Sequence, residues 1–140
     1  MLNENVVKVL KNNTWTVATC AAGVPNAVPV GFKDVSELKA LCERSSKPVI
    51  LKGIMSVKGA RKANVLDNGK IAVSAYDAST SEGYQVKGTA AYVTEGPVVD
   101  TFKALAAKLF HGKMTAKGAI VITPEQVIVT TPGPENKKVL

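Results

Sequence analysis

Apolar positions recur along this chain with two periods, and the change from one to the other divides it into elements. Leu2, Val6, Val7 and Leu10 stand at the spacing that gives a helix one apolar face, and the polar run Lys11, Asn12, Asn13 closes that segment. "TWTVATC" then reads as extended, and "AAGVPNAVPVGF" predicts a turn around residues 23–26 followed by a second strand, the two forming a hairpin. Pro29 has no N–H to give a neighbouring strand, so this second strand is expected at an edge, or where another group takes up the pairing atoms. "DVSELKALCERSSK" carries Val35, Leu38 and Leu41 at helical spacing with Ser36 as a cap, either a short helix or a helical excursion between strands.

"PVILKGI" and "KIAVSAY" predict strands, with "RKANVLDNG" between them a short helix ended by Asn68 and Gly69. In "YQVKGTAAYV", Tyr84 and Val86 alternate with Gln85 and Lys87 along a long strand whose Gly88 marks a bulge or bend. Glu95, Gly96 and Pro97 open the clearest helix. Val98, Phe102, Leu105 and Leu109 keep one face of it apolar, Lys103 and Lys108 lie off that face, and Gly112 ends it. "AIVIT" and "QVIVTT" predict two last strands around a turn at Pro124 and Glu125, before the polar tail "PGPENKKVL". The sum is a mainly β chain of six to seven antiparallel strands with two or three short helices, and barrel closure is the way such a set removes its exposed edges.

A length of 140 residues fits one domain over residues 1–140, large enough to bury a core without disulfide or metal staples. No stretch approaches the roughly 18 apolar residues that span a bilayer, and the N-terminus lacks a basic segment followed by an apolar run, so a cytoplasmic protein without a membrane partner is expected. Cys20 and Cys42 lack metal-ligand spacing and have apolar neighbours, which predicts core thiols and no metal site. Trp15 is expected in the core or at an interface. His111, the sole histidine, falls at the end of the long helix, where a cation meets the helix dipole favourably, and it has no nucleophile and acid to form a catalytic set. Neither a dinucleotide-binding glycine pattern nor a P-loop occurs.

Charge changes the picture at one place. The net charge is +7, much of it scattered lysine, but no acid lies between Glu43 and Asp67, and "SVKGARK" packs Lys58, Arg61 and Lys62 together. Aromatic residues make up 5% of the chain and none falls in that stretch to stack on bases, which argues against nucleic acid as the partner. If "RKANVLDNG" is helical, residues 56–61 deliver the chain to a helix N-terminus, where free amides and the helix dipole favour an anion. A phosphate there would take charge-assisted hydrogen bonds from Arg61, with Lys58 and Lys62 adding charge, the Ser56 hydroxyl donating, and the backbone of Val57, Lys58 and Gly59 supplying further donors. The same residues also fit a solvated basic turn.

Three blocks together resemble the FMN-binding split barrels related to pyridoxamine 5′-phosphate oxidase, in particular their small single-domain members. They are "WTVATCAAGVPNAVPVGF" as first hairpin, "KGARKANVLDNGKIAVSAYD" as phosphate loop, helix and strand, and "EGYQVKGTAAYVTEGP" as the long strand leading into a helix, with "AIVITPEQV" after it. The resemblance covers most of the chain and implies a split β-barrel with FMN as cofactor. On it, Pro29, Val30 and Gly31 would run along the edge of the isoalloxazine and bond it through backbone groups. Met55 and Ser56 would lie at the ribityl chain, and Lys58, Arg61 and Lys62 would hold the phosphate. It also implies a homodimer with flavin near the subunit interface, where Gln85, Lys87 or the tail from Thr131 to Leu140 would reach the partner's flavin. Two departures stand out. Many relatives have lysine then threonine where this chain has Ala60 and Arg61, which moves the phosphate contact by one residue, and the segment from Ser36 to Lys47 is longer than the tight hairpin of relatives. With no evident acid–base side chain, the resemblance points to an electron carrier or flavin reductase acting with a small molecule or redox protein. The alternative is a split-barrel binding protein that takes haem or another phosphorylated ligand instead of flavin.

Overall fold

A computed structural model describes residues 2–31, 33–35, 51–54, 60–113 and 118–140. Apart from residues 34 and 35, the predicted helical segment "DVSELKALCERSSK" lies outside them. Asn3 caps the first helix, α1 (Glu4–Asn12), its Oδ1 accepting the Val6 amide at 3.0 Å. Strand β1 (Trp15–Ala21) and strand β2 (Val24–Val30) follow as a hairpin. Its turn is tighter than the sequence predicts: Ala22 and Gly23 alone make it, both at positive φ, +49° and +76°, the backbone whose twist matches that of the flanking strands.

Short strands β3 (Lys33–Val35) and β4 (Leu51–Ile54) precede helix α2 (Ala60–Asn68), strand β5 (Lys70–Asp77), strand β6 (Glu82–Val93), helix α3 (Pro97–Phe110) and strand β7 (Ala119–Val129). The strands lie in the order β2-β1-β5-β6-β7-β4-β3, every neighbouring pair antiparallel. The chain is therefore mainly β with three helices among the described residues. Where the sequence predicts six to seven strands, among the described residues five strands of seven or more residues carry the sheet and two of only three and four residues extend one side. The edge position expected from Pro29 holds among the described residues, where β2 pairs with β1 alone.

The predicted turn at Pro124 and Glu125 is instead the middle of β7. Lys87 pairs with Gln126 and Gly88 with Pro124, so Glu125 is the extra residue of a bulge, and the bulge accommodates the proline that would otherwise break the ladder. Gly88 is required there because a Cβ would collide with the Thr123 carbonyl. The polar tail turns back along β7 beyond the segment that β4 pairs with: the Val129 amide donates to the Lys138 carbonyl at 2.9 Å and the Leu140 amide to the Val127 carbonyl at 2.9 Å.

Alternation points Trp15 and Val17, Val73 and Ala75, Tyr84 and Val86, and Val127 and Val129 into one core, closed by Val6, Val9 and Leu10 of α1. Trp15 is fully buried there, and its Nε1–H donates to the Leu10 carbonyl at 2.7 Å, tying the end of α1 to the start of β1. Lys33 lies beside it, its ammonium donating to the Lys11 carbonyl at 3.1 Å and standing 5.9 Å from the Trp15 ring centroid, and partial burial lowers its pKa. Val99 and Phe102 of α3 pack with Ala119 in a second, smaller cluster.

Candidate functional site

Because β1 alternates, Trp15, Val17 and Thr19 face inward and the even positions face away from the core. Register aligns these outward positions into rows across the sheet. One row runs Pro29, Thr16, Ser74, Gln85, Ile128, and the next runs Ala27, Ala18, Ala72, Lys87, Gln126. Strands lie about 4.8 Å apart, so Pro29 and Gln85, three strands apart, stand about 14 Å from each other. Between them the floor is made of small side chains, Thr16 and Ser74 in one row and Ala18 and Ala72 in the next, which leaves a level surface.

Of the residues expected to meet a ligand, the structure brings Pro29 and Gln85 into one row and puts Lys87 in the adjacent one. Val30 points the other way. Val30 is 5% exposed and sits opposite Trp15, so its side chain belongs to the core. Gly31 is exposed, and an added Cβ would meet nothing within 4 Å. Met55, Ser56, Val57, Lys58 and Gly59 lie outside the described residues, and of Arg61 and Lys62 only the helical backbone is described.

That backbone matters, because Arg61 and Lys62 stand in the first turn of α2, whose amides have no partner within the helix and which contains no acidic residue. The helix is fixed from its other half. Asn64 is buried and its Nδ2–H donates to the Thr19 hydroxyl at 3.0 Å, while the Asn68 amide donates to the Cys20 carbonyl at 2.6 Å. Gly69, at φ +65°, turns the chain so that its carbonyl accepts the Ala90 amide at 2.7 Å. These contacts set the direction in which the first turn of α2 points, a role the sequence reading misses; its signal was two asparagines four apart on one helix face. Asn64→Leu removes the donor and leaves the buried Thr19 hydroxyl unpaired, so a loss of about 1–3 kcal/mol in unfolding free energy is expected. Urea denaturation checks it, and an unchanged midpoint would contradict this anchoring.

Two thiol and imidazole expectations are revised or placed. Cys20 is exposed, not in the core, because it shares the outward parity of Thr16 and Ala18; Cys42 lies outside the described residues. His111 is the exposed C-cap of α3 in the left-handed conformation, φ +52°. Tyr84 is a buried residue, and burial, then the nearby Glu82 charge, raise its pKa. Among the described residues no group of acids, histidines or cysteines is arranged to hold a metal, and no helix is long and apolar enough to cross a membrane.

Comparison with known proteins agrees with this architecture. No curated protein matches the sequence. The family model for pyridoxamine 5′-phosphate oxidase matches residues 2–132. Among solved structures, HupZ of Group A Streptococcus is 26% identical with a TM-score of 0.76, the alignment covering 96% of this chain and 98% of that one. A Lactobacillus delbrueckii protein named for pyridoxamine 5′-phosphate oxidase is 23% identical with a TM-score of 0.66, covering 91% of this chain and 93% of that one. General stress protein 26 of Bacillus anthracis is 11% identical with a TM-score of 0.69, covering 98% and 95%. The last two likenesses concern the fold alone, and they support the split-barrel arrangement of the strands.

Proposed function

This chain belongs to the pyridoxamine 5′-phosphate oxidase family, and on that premise we propose that it is a flavoprotein that binds FMN without a covalent bond and serves as an electron carrier or as an oxidoreductase for a small substrate. The observation that carries the reading is the first turn of α2, which contains Arg61 and Lys62 and no acidic residue and belongs to a helix anchored by Asn64 and Asn68. A dianionic phosphate is the group such a turn suits best.

The described residues also fit a flat ring. The small-residue rows between Pro29 and Gln85 leave room for a planar system, and among the described residues the edge strand β2 has no second neighbour and Gly31 has nothing within 4 Å of where a Cβ would stand. FMN supplies the redox chemistry when bound, as one- or two-electron transfer. The protein's part is orientation and electrostatics: β2 aligns the ring edge through main-chain atoms, and the α2 turn fixes the phosphate. Met55 and Ser56 are assigned to the ribityl chain, Val57, Lys58 and Gly59 to the phosphate loop.

The same reading makes the outward face a subunit interface, with Gln85 reaching the flavin of a second copy. A homodimer is therefore expected at micromolar concentration, and a monomer mass by light scattering would contradict it. The alternative of a haem-binding split barrel is favoured by one feature, the exposed His111, since imidazole is a common axial ligand to haem iron. The absorption spectrum of the purified protein separates the two: an oxidised-flavin spectrum supports FMN, a Soret band supports haem.

A further inference from the structure

We propose that Lys33 is a positioning residue for the flavin ring, holding the backbone of Pro29, Val30 and Gly31 where the ring edge meets it; the inference rests on the FMN reading above. That backbone needs such a hold. Its register with β1 ends at the pair Val30 and Trp15, and Gly31 stands past the end of β2, exposed, with nothing among the described residues within 4 Å of where a Cβ would stand. A glycine beyond the end of an edge strand has no side chain to pack and the widest choice of backbone angles, so its N–H and carbonyl keep one direction only when the chain is fixed on both sides of it.

The last turn of α1 supplies both fixed points. On one side Trp15, opposite Val30, donates its indole N–H to the Leu10 carbonyl at 2.7 Å. On the other, two residues after Gly31, the Lys33 ammonium donates to the next carbonyl along, that of Lys11, at 3.1 Å. These carbonyls lie at the C-terminal end of the helix, where the helix itself offers no donor and the dipole is negative, so a cation suits the second of them well. The same ammonium stands 5.9 Å from the Trp15 ring centroid, within cation–π range, so the two anchors also hold each other. Lys33 opens β3, pairs with Gly53 of β4, and lies at the opposite end of the strand order from β2. No ladder joins β2 to β3 among the described residues, and the Lys33 side chain is what refers the chain leaving β2 to the same helix end that Trp15 grips.

Three variants test it. Lys33→Met keeps most of the stem and loses the donor and the charge, Lys33→Gln keeps a polar end without the reach, and Lys33→Arg restores a cationic donor. In the flavin-free protein, amide hydrogen exchange in a peptide covering residues 28–35 is expected to quicken about tenfold in the methionine and glutamine variants and to stay within about twofold of the unsubstituted protein in the arginine variant. In flavin fluorescence titrations, Lys33→Met and Lys33→Gln should weaken FMN and riboflavin by the same factor, about fivefold, because the ring is common to both ligands, and Lys33→Arg should restore both affinities. Unchanged exchange in residues 28–35, an unchanged riboflavin affinity in Lys33→Met, or a loss for FMN alone would each overturn the proposal, the last by placing Lys33 at the phosphate. So would faster exchange spread over the whole chain with riboflavin affinity retained, the mark of a residue that only stabilises the fold. Failure of the unsubstituted protein to bind either flavin would overturn the FMN reading and this inference with it, while the exchange rates would still report whether Lys33 holds the end of β2.

Discussion

Trp15→Ala is expected to lower the unfolding free energy by about 3–5 kcal/mol, the cost of deleting a large aromatic from a core that cannot collapse around the space. A domain of this size is stable by only about 5–15 kcal/mol, so the variant should stand near the limit of folding. The position justifies the size of the effect. Trp15 is fully buried, it faces Val30 on one side and Ala75 on the other, and its indole N–H holds the last turn of α1 through the Leu10 carbonyl. Trp15→Phe separates the parts, since it retains most of the packing and loses the hydrogen bond, and should cost much less than the alanine variant. Urea denaturation of both checks this, and a loss below about 1 kcal/mol for Trp15→Ala, or equal losses for the two, would contradict the place given to the indole in the core.

Arg61→Ala is expected to weaken FMN about tenfold to a hundredfold, the range of one charge-assisted hydrogen bond to a dianion, and to leave riboflavin affinity nearly unchanged. The two ligands share the ring and differ in the phosphate, so their difference isolates what the α2 turn contributes. Arg61 is given the largest share because its planar fork bonds two phosphate oxygens at once, while a lysine acts as a point charge. Lys58→Ala and Lys62→Ala should each cost less. Equal losses for FMN and riboflavin in the arginine variant, or a larger loss from either lysine variant, would move the phosphate contact away from Arg61.

Much of the fold is legible in the sequence where the signal is local. The α1 stripe, Gly69 as the end of α2, and Pro29 as a mark of an edge strand each follow from one residue's backbone chemistry, and each has its counterpart in the structure. What fails depends on distant partners. Pro124 reads as a turn until Gly88 of β6 is known to lie opposite it, without a Cβ, and to take up the irregularity as a bulge. Cys20 reads as a core thiol because its neighbours are apolar, yet a single step of strand parity separates it from the buried Thr19. The candidate site divides in the same way. The cationic turn is visible in seven consecutive residues, "SVKGARK", but the row joining Pro29 to Gln85 exists only through the registers of three strand pairs. Asn64 escapes notice because its partner, Thr19, lies 45 positions earlier in the chain.

The central claim is that this family member holds a flavin by its phosphate at the start of α2. Its most direct test is a pair of equilibrium titrations of the flavin-free, unsubstituted protein, one with FMN and one with riboflavin, followed by quenching of flavin fluorescence. The account predicts one FMN per chain and an affinity for riboflavin weaker by about a hundredfold, since the phosphate takes more than one charge-assisted bond. Equal affinities for the two flavins, or no saturable binding of FMN, would contradict it.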